Sequence, residues 1–568
     1  MEGGINNVAA EMDLDRPSGD QIPQSQPIDA TQVVNLAGGF VWQIDGISRL
    51  RRFICLGCEG GTYYASQKEL TIENIQSIKK LVSGGRGLDV VREIEQFSLE
   101  GRTAKQDNIL FVLAYCARQT EDRDTKIAAY EALPKICRIP THLFAFVGFA
   151  EKLSKSGEGK ETTGWGRAHR RAIANWYTRY ANAPAKLAMH VTKYKNRNGW
   201  THFDLFRLSH VKTDRAELGA IFRYVVKGLG AAKEQFLKEP AAATPALLEI
   251  FKFLQAVEDT KTVDAENVDK IVSLIEENHL VREHIPTQFL KSIEVWRVLL
   301  RDMPMTALMR NLAKMTSIGL LKPGAEETAQ VVLKLSDDDK IKEARIHPFN
   351  VLNALLTYRS CKGAKGSLKW QACPEIEQAL DDMFYKAFKF VEPTGKRFLL
   401  AVDVSGSMTV CNVIGSAAMT SYQAAAAMMM TTLRTESNCE VCAFDTTLTP
   451  MKVKPEFKLP ETMLAFEGFL CGNTDCAAPM LYALEHKKEV DVFVIYTDND
   501  TWYGDIHPAA ALRNYRKEMG IYDAKLIVTA FSASEFSIAD PEDPGMLDIA
   551  GFDSGAPETM RQFVLGNI

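Results

Sequence analysis

"KRFLLAVDVSGSM", residues 396–408, carries an apolar run straight into three oxygen-bearing side chains spaced two apart, Asp403, Ser405 and Ser407. A run this apolar, with no polar alternation, reads as a strand buried on both faces, as in a parallel sheet covered by helices. The residues that follow repeat the pattern. Helical "AAMTSYQAAAAMMMTTLR" (417–434) precedes strand-like "CEVCAFD" (439–445), and after a helix past Asp475 come "VDVFVIYTD" (490–498), "HPAAALRNYRKEM" (507–519) and "AKLIVTAF" (524–531). Strands alternating with helices predict a doubly wound α/β sheet, which binds ligands at the carboxyl ends of its strands.

Asp403, Ser405 and Ser407 fall at such an end. Thr474 in "CGNTDCA" (471–477), before a helix, and Asp498, closing a central strand, fall in matching places. Five hard oxygen donors with no imidazole or thiolate suit Mg²⁺ or a similar divalent ion, with water or a partner's carboxylate completing the shell. This order of residues resembles the metal-ion-dependent adhesion site of von Willebrand factor A domains, which bind proteins through the ion. Nothing points to catalysis. There is no Gly-x-Ser-x-Gly elbow, "SGGRGLDVV" (83–91) lacks the third glycine of a dinucleotide loop, and neither "SGEGKET" (156–162) nor "EPTGKRF" (392–398) has Walker spacing.

Upstream the grammar is different. From about 88 to 315 the chain reads as short amphipathic helices divided by polar turns. "LDVVREIEQF" places Val90, Val91, Ile94 and Phe97 on one face, and similar stripes recur in "NILFVLAYCARQ", "TKIAAYEAL" and "THLFAFVGFAEKL". Stacked helix pairs of HEAT type are expected, although no strict sequence period is present.

Within that helical region, residues 165–215 hold eleven Lys or Arg against two Asp, a net charge of +9 in a chain whose net charge is −5. Such segregation is the footprint of a nucleic-acid-binding surface. At 100° per residue, Arg167, Arg170 and Arg171 share a helix face opposite Trp165, Ala172 and Trp176. Lys186, His190, Lys193 and Arg197 recur at i, i+4, i+7 and i+11 on a second predicted helix, with Leu187, Val191 and Tyr194 on another side. Two basic stripes result, with His190 expected to contact phosphate or base. Trp200 reads equally well as a base-stacking residue or as a core anchor ahead of a helix capped by Thr201.

The remaining features exclude other classes. No apolar run nears the roughly 20 residues of a membrane span. Residues 1–35 begin polar and lack a secretory pattern, so they read as a disordered tail. Eleven cysteines without such a signal point to reduced thiols and a cytoplasmic, or also nuclear, protein. Cys55/Cys58 and Cys439/Cys442 have CxxC spacing, but the first lacks a second pair and the second sits in a strand, so buried thiols are expected of both.

A helical array with a basic face, followed by an A domain with a metal motif, resembles the TROVE family of Ro ribonucleoproteins. The likeness runs through "RLRRFICLGCEGGTYY", "CRIPTHLF", "VTKYKNRNGW", "DMPMTALMRNL", "ARIHPF", "EPTGKRFLLAVDVSGSM" and "GMLDIAGFDSGA". It implies a ring of helical repeats over 36–375, closed by an A domain over 376–568. It also implies that small noncoding Y RNAs bind the outer surface and single-stranded 3′ ends of misfolded RNAs enter a central hole, in small-RNA stability and RNA quality control. Arg167, Arg170, Arg171 and His190 fall in the family's RNA-binding region, and the five oxygen donors match its metal site. The longer polar N-terminus and "DNDTWYGD" (498–505) depart from the family pattern and put partner choice at the ion in doubt. A metal-dependent protein-interaction scaffold with no RNA function is the other class left open.

Overall fold

The computed structural model describes residues 22–58, 66–156, 165–238, 243–363, 367–388, 391–410, 412–416, 419–469 and 472–568. Residues 1–21 of the expected tail and most of the "SGEGKET" stretch lie outside them. The chain opens with two short antiparallel strands, β1 (Val33–Val34) and β2 (Phe40–Gln43). A helical array then runs from Gly46–Leu56 to Pro374–Lys386, interrupted by a ribbon of β3 (Asn196–Arg197) and β4 (Trp200–Thr201). The remaining strands are β5 (Arg397–Asp403), β6 (Asn438–Phe444), β7 (Leu448–Met451), β8 (Val492–Thr497), β9 (Lys525–Ala530), β10 (Phe536–Ser537) and β11 (Met546–Ala550).

Five of these form a parallel sheet in the order β11-β9-β8-β5-β6, and β7 adds an antiparallel edge. The apolar run at 398–402 is its central strand. Its period of two divides the sheet between two cores. Leu399 and Ala401 pack with Phe493, Ile495, Leu526 and Val528 under the helices Ala478–Glu485 and Pro508–Met519. Phe398, Leu400 and Val402 face the helix Ser421–Thr435, in a core that continues into the helical array. The array and the sheet are therefore joined by buried apolar surface as well as by the chain.

The predicted helical stripes form as expected. Val90, Val91, Ile94 and Phe97 are all buried on the helix Gly87–Glu100. That helix packs on Arg123–Ile136, Asp107–Arg118 packs on Pro140–Ser156, and Arg123–Ile136 packs on Arg167–Thr178, each against the next but one. This is the pattern of stacked pairs. "SGGRG" is a helical turn, Val82–Arg86, with Gly85 at φ +83°, and not a phosphate loop.

The two ends of the array meet each other and the A domain. His347 Nε2 donates to the Arg102 carbonyl at 3.1 Å and Asn350 Nδ2 to the Ala104 carbonyl at 3.2 Å. From the first helix, buried Arg52 pairs with Asp548 and donates to the carbonyls of Ser534 (3.0 Å) and Phe536 (2.7 Å). Arg102 holds Asp553 at 2.8 Å.

Two expected boundaries move. Residues 22–35 are not a tail, because Gln24, Gln32 and Asn35 are buried against the A domain and β2 pairs with β10. The array also runs past residue 375. Ile376, Leu380, Met383 and Phe384 bury one face of the helix Pro374–Lys386 against the helices Pro348–Arg359 and Glu326–Leu335.

Candidate nucleic-acid interface and metal centre

On the helix Arg167–Thr178, Ile173, Trp176 and Tyr177 are buried and the opposite face is open. Trp176 is 0 % exposed and donates its indole N–H to the Cys137 carbonyl. This anchor points Arg167, Arg170 and Arg171 to solvent, where no carboxylate among the described residues pairs with them. Arg179, the next cation along, is used internally: it donates to the Pro134 and Cys137 carbonyls and lies over the rings of Trp176 and Tyr180.

The second stripe is shorter than its spacing predicts. Its helix, Pro184–Lys193, ends at Lys193. Arg197 instead projects from the β3–β4 ribbon, exposed like Lys186 and Lys195. The helix ends where Tyr194 leaves helical geometry at φ −109°, and Asn198 and Gly199, both at positive φ, then turn the ribbon back. Lys193 is only partly open, with a side chain 15 % exposed, 4.0 Å from Glu283 and over the Tyr194 ring.

His190 does not join the stripe as a cation. It is 7 % exposed and packed among Trp176, Tyr180 and Tyr194. Burial first, then Lys186, Arg179 and Lys193, lower its pKa to about 4, so the ring is neutral at neutral pH. Trp200 settles as a packing residue, against Trp165 and over Gly148. The Thr201–Asp204 capping box that follows it is formed.

A further group of cations lies where the array closes. Burial and then the guanidinium of Arg345 hold the Arg138 pKa below its ordinary value. His142, whose Nδ1 is buried without a partner, is held to about 4 by burial, Arg138 and Arg197. Sequence spacing could not show this group, since Arg138 and Arg345 lie 207 positions apart.

At the carboxyl end of the sheet, Asp403, Ser405, Ser407, Thr474 and Asp498 are all buried. Asp403 accepts from the Ser405 amide at 2.8 Å and the Thr497 hydroxyl at 2.6 Å, and the Ser405 and Ser407 hydroxyls are 3.2 Å apart. The Gly406 amide reaches the Gly472 carbonyl, so the serine turn lies beside the loop that carries Thr474. A Cβ at Gly472 would overlap the Asp445 carboxylate. Burial first, and then Asp498, raise the Asp403 pKa, and burial raises that of Asp498. Buried, mutually repelling carboxylates lined with hydroxyls fit a hard divalent cation, whose charge would relieve both penalties.

Sequence reasoning missed Asp500. Its carboxylate is fully buried, served only weakly by the backbone amide of Leu36, and burial, Asp498 and Asp403 raise its pKa well above normal. Its place two residues beyond Asp498, at the period of an extended chain, was the available signal. Among the described residues no three His, Cys, Asp or Glu side chains come together closely enough to hold an ion. An ion at the candidate site would therefore need the hydroxyls as well as the carboxylates. Of the CxxC cysteines, Cys55, Cys58 and Cys442 are buried and Cys439 is half-buried, and the Cys58 sulfur accepts from Asn74 Nδ2 at 3.7 Å.

Two family profiles match the chain, the TROVE domain over residues 33–356 and the Ro60 vWA domain over 397–564. The chain is 38% identical to the RNA-binding protein RO60 of Caenorhabditis elegans over 96% of its own length and 92% of that protein. It is also 38% identical to the RNA-binding protein RO60 of Deinococcus radiodurans, over 96% of its own length and 98% of that protein. The crystal structure of the Deinococcus radiodurans RO (RSR) protein superposes with a TM-score of 0.65 at 36% identity, covering 92% of this chain and all of that one. With these matches spanning the helical array and the sheet alike, the chain belongs to the TROVE family, joined to a von Willebrand A domain of the Ro60 type.

Proposed function

We propose that this chain is a non-catalytic RNA-binding protein that holds small noncoding RNAs of the Y RNA kind on its outer basic face. The observation that carries the reading is the open face of Arg167, Arg170 and Arg171, with which no carboxylate among the described residues pairs, together with the exposed Lys186, Lys195 and Arg197. Guanidinium groups free of carboxylates can pair with phosphates without first breaking an ion pair. The names of the RO60 relatives agree with it. Arg138 and Arg197 beside His142, with Arg345 close to Arg138, support a second mode, in which single-stranded 3′ ends of misfolded RNAs enter a central hole of the closed array.

In the A domain, Asp403, Ser405, Ser407, Thr474 and Asp498 would hold Mg²⁺ or a similar ion. Bound there, the ion would supply a Lewis-acidic position for a carboxylate of a protein partner. These properties suit a role in small-RNA stability and RNA quality control in the cytoplasm, and also in the nucleus. No described helix is long and apolar enough to cross a membrane.

Sequencing the RNA that co-purifies with the protein tests the main claim. Enrichment of small structured noncoding RNAs, lost on replacing Arg167, Arg170 and Arg171 by Ala, is the expected result. Absence of such RNA, together with retained Mg²⁺ binding, would favour the metal-dependent protein-interaction scaffold.

A further inference from the structure

We infer that the N-terminal segment is a structural part of the ion site, with Gln24 as the positioning residue that locks the loops carrying Thr474 and Asp498 to each other. This rests on the reading of those residues as ion ligands. The two loops belong to different strand–helix units, and the Asp-x-Ser-x-Ser turn belongs to a third. Gln24 lies between the first two. Its side chain is 0 % exposed, and its Nε2 donates to Asp475 Oδ1 at 2.8 Å and to the Ile506 carbonyl at 3.0 Å. Its Oε1 accepts from the Thr501 hydroxyl, which itself lies 3.1 Å from the carbonyl oxygen of Thr474. Its backbone amide donates to the Gly504 carbonyl at 3.1 Å.

One amide side chain thus touches the residue after Thr474 and the loop after Asp498 together. An amide suits this place because it donates and accepts at once. A glutamate there would bring a further carboxylate against buried Asp475.

The rest of the segment reinforces the clamp. Asn35 Nδ2 donates to the Thr501 carbonyl at 2.7 Å, while its Oδ1 accepts from the Ala37 and Gly39 amides. Gly39 backs directly onto the Thr501 carbonyl, which a Cβ would overlap. His507 Nε2 bonds the Gln26 carbonyl at 2.7 Å. The segment then continues through β2, paired to β10, into the first helix of the array. The A domain alone therefore lacks part of the frame that holds its ligands.

The test is titration calorimetry of the full-length chain with MgCl₂, with hydrogen exchange on the metal-free protein. Gln24→Ala is expected to weaken Mg²⁺ binding by about tenfold, as loss of buried hydrogen bonds at a ligand frame would. Asn35→Ala should have a smaller effect. In metal-free Gln24→Ala, exchange should accelerate at residues 472–477 and 498–506, while RNA affinity and exchange in the array stay unchanged. Gln24→Met keeps the volume and removes only the hydrogen bonds, so it replaces the alanine variant if that fails to fold. Unchanged Mg²⁺ affinity with unchanged loop exchange overturns the inference, as does acceleration spread over the whole chain. If the wild-type chain takes up no Mg²⁺, the ion reading falls, and local acceleration of exchange alone supports or overturns the clamp.

Discussion

The helical array and the A domain place their charges in opposite ways. The array keeps the cations of its basic face outside: Arg167, Arg170, Arg171, Lys186 and Arg197 stand in solvent, where an unpaired charge costs little. Inside, it holds neutral rings. His142, His169, His190, His202, His284 and His347 all have pKa values lowered to about 3 or 4, with burial the largest cause in each. The A domain does the reverse, burying Asp403, Asp498 and Asp500, with burial raising the pKa of each and Asp498 raising those of Asp403 and Asp500 further. An exposed basic surface waits for a polyanion; a buried acidic pocket calls for a cation. The contrast separates the two proposed functions chemically, although one apolar core runs from the array into one face of the sheet.

Breaking the acidic side should give the largest effect. Asp403→Ala removes a carboxylate from the candidate ion shell, and calorimetry is expected to show Mg²⁺ binding weakened by about a hundredfold or lost, since an ion ligand is gone. RNA affinity should stay within about twofold, because the basic face belongs to another part of the chain. A parallel loss of RNA binding in a folded variant would abolish the separation.

Breaking the basic side should come next. Replacing Arg167, Arg170 and Arg171 by Ala is expected to lower RNA affinity by roughly tenfold or more and to reduce the slope of log K against log salt by about 2 to 3. Filter binding at several salt concentrations gives both. An unchanged slope would make this face an ordinary solvated surface.

Acid sharpens the comparison further. The unfolded array protonates its histidines near pH 6.5, whereas the folded one keeps them neutral to about pH 4 or below. The folded state therefore binds fewer protons between these limits. Stability from these groups is full above about pH 6.5 and falls as the pH drops toward 4, by roughly 1.4 kcal/mol per unit for each imidazole. Urea unfolding followed by the fluorescence of Trp176 and Trp296, both buried in the array, should show the midpoint falling over this range. A flat midpoint would mean that the imidazoles are not held neutral.

The smallest effect is expected at His190. Because it is neutral and enclosed, His190→Gln should leave the salt slope of RNA binding unchanged, while Arg170→Ala reduces it by about 0.7 to 0.9. A reduction in the histidine variant would show that the ring carries charge in the complex.

How much of this was readable beforehand varied with the range of the interactions involved. Local periodicity revealed the face of Arg167, Arg170 and Arg171, because Trp176 and Ile173 sit at helical spacing from it and have one way to be buried. The same arithmetic failed at Arg197, where Asn198 and Gly199 turn the chain into a ribbon. It failed at His190 too, since spacing identifies a face but not the depth of Tyr180 and Tyr194 around it. That Asp403, Ser405, Ser407, Thr474 and Asp498 would lie at one end of the sheet was legible because a parallel sheet gathers the ends of its strands whatever lies between them.

The sequence by itself determined the two architectures, the strand at 397–403 and the residue types that an ion or a phosphate would meet, because each depends on neighbours a few positions away. Only the tertiary structure decided which of these groups are open and what holds them. Gln24 meets Asp475 across 451 positions, Arg52 meets Asp548 across 496, and Arg345 comes up against Arg138 where the array closes. Such contacts leave no periodic trace in the chain. They form when burial of shared apolar surface brings distant segments together, and the polar groups trapped there must then find partners.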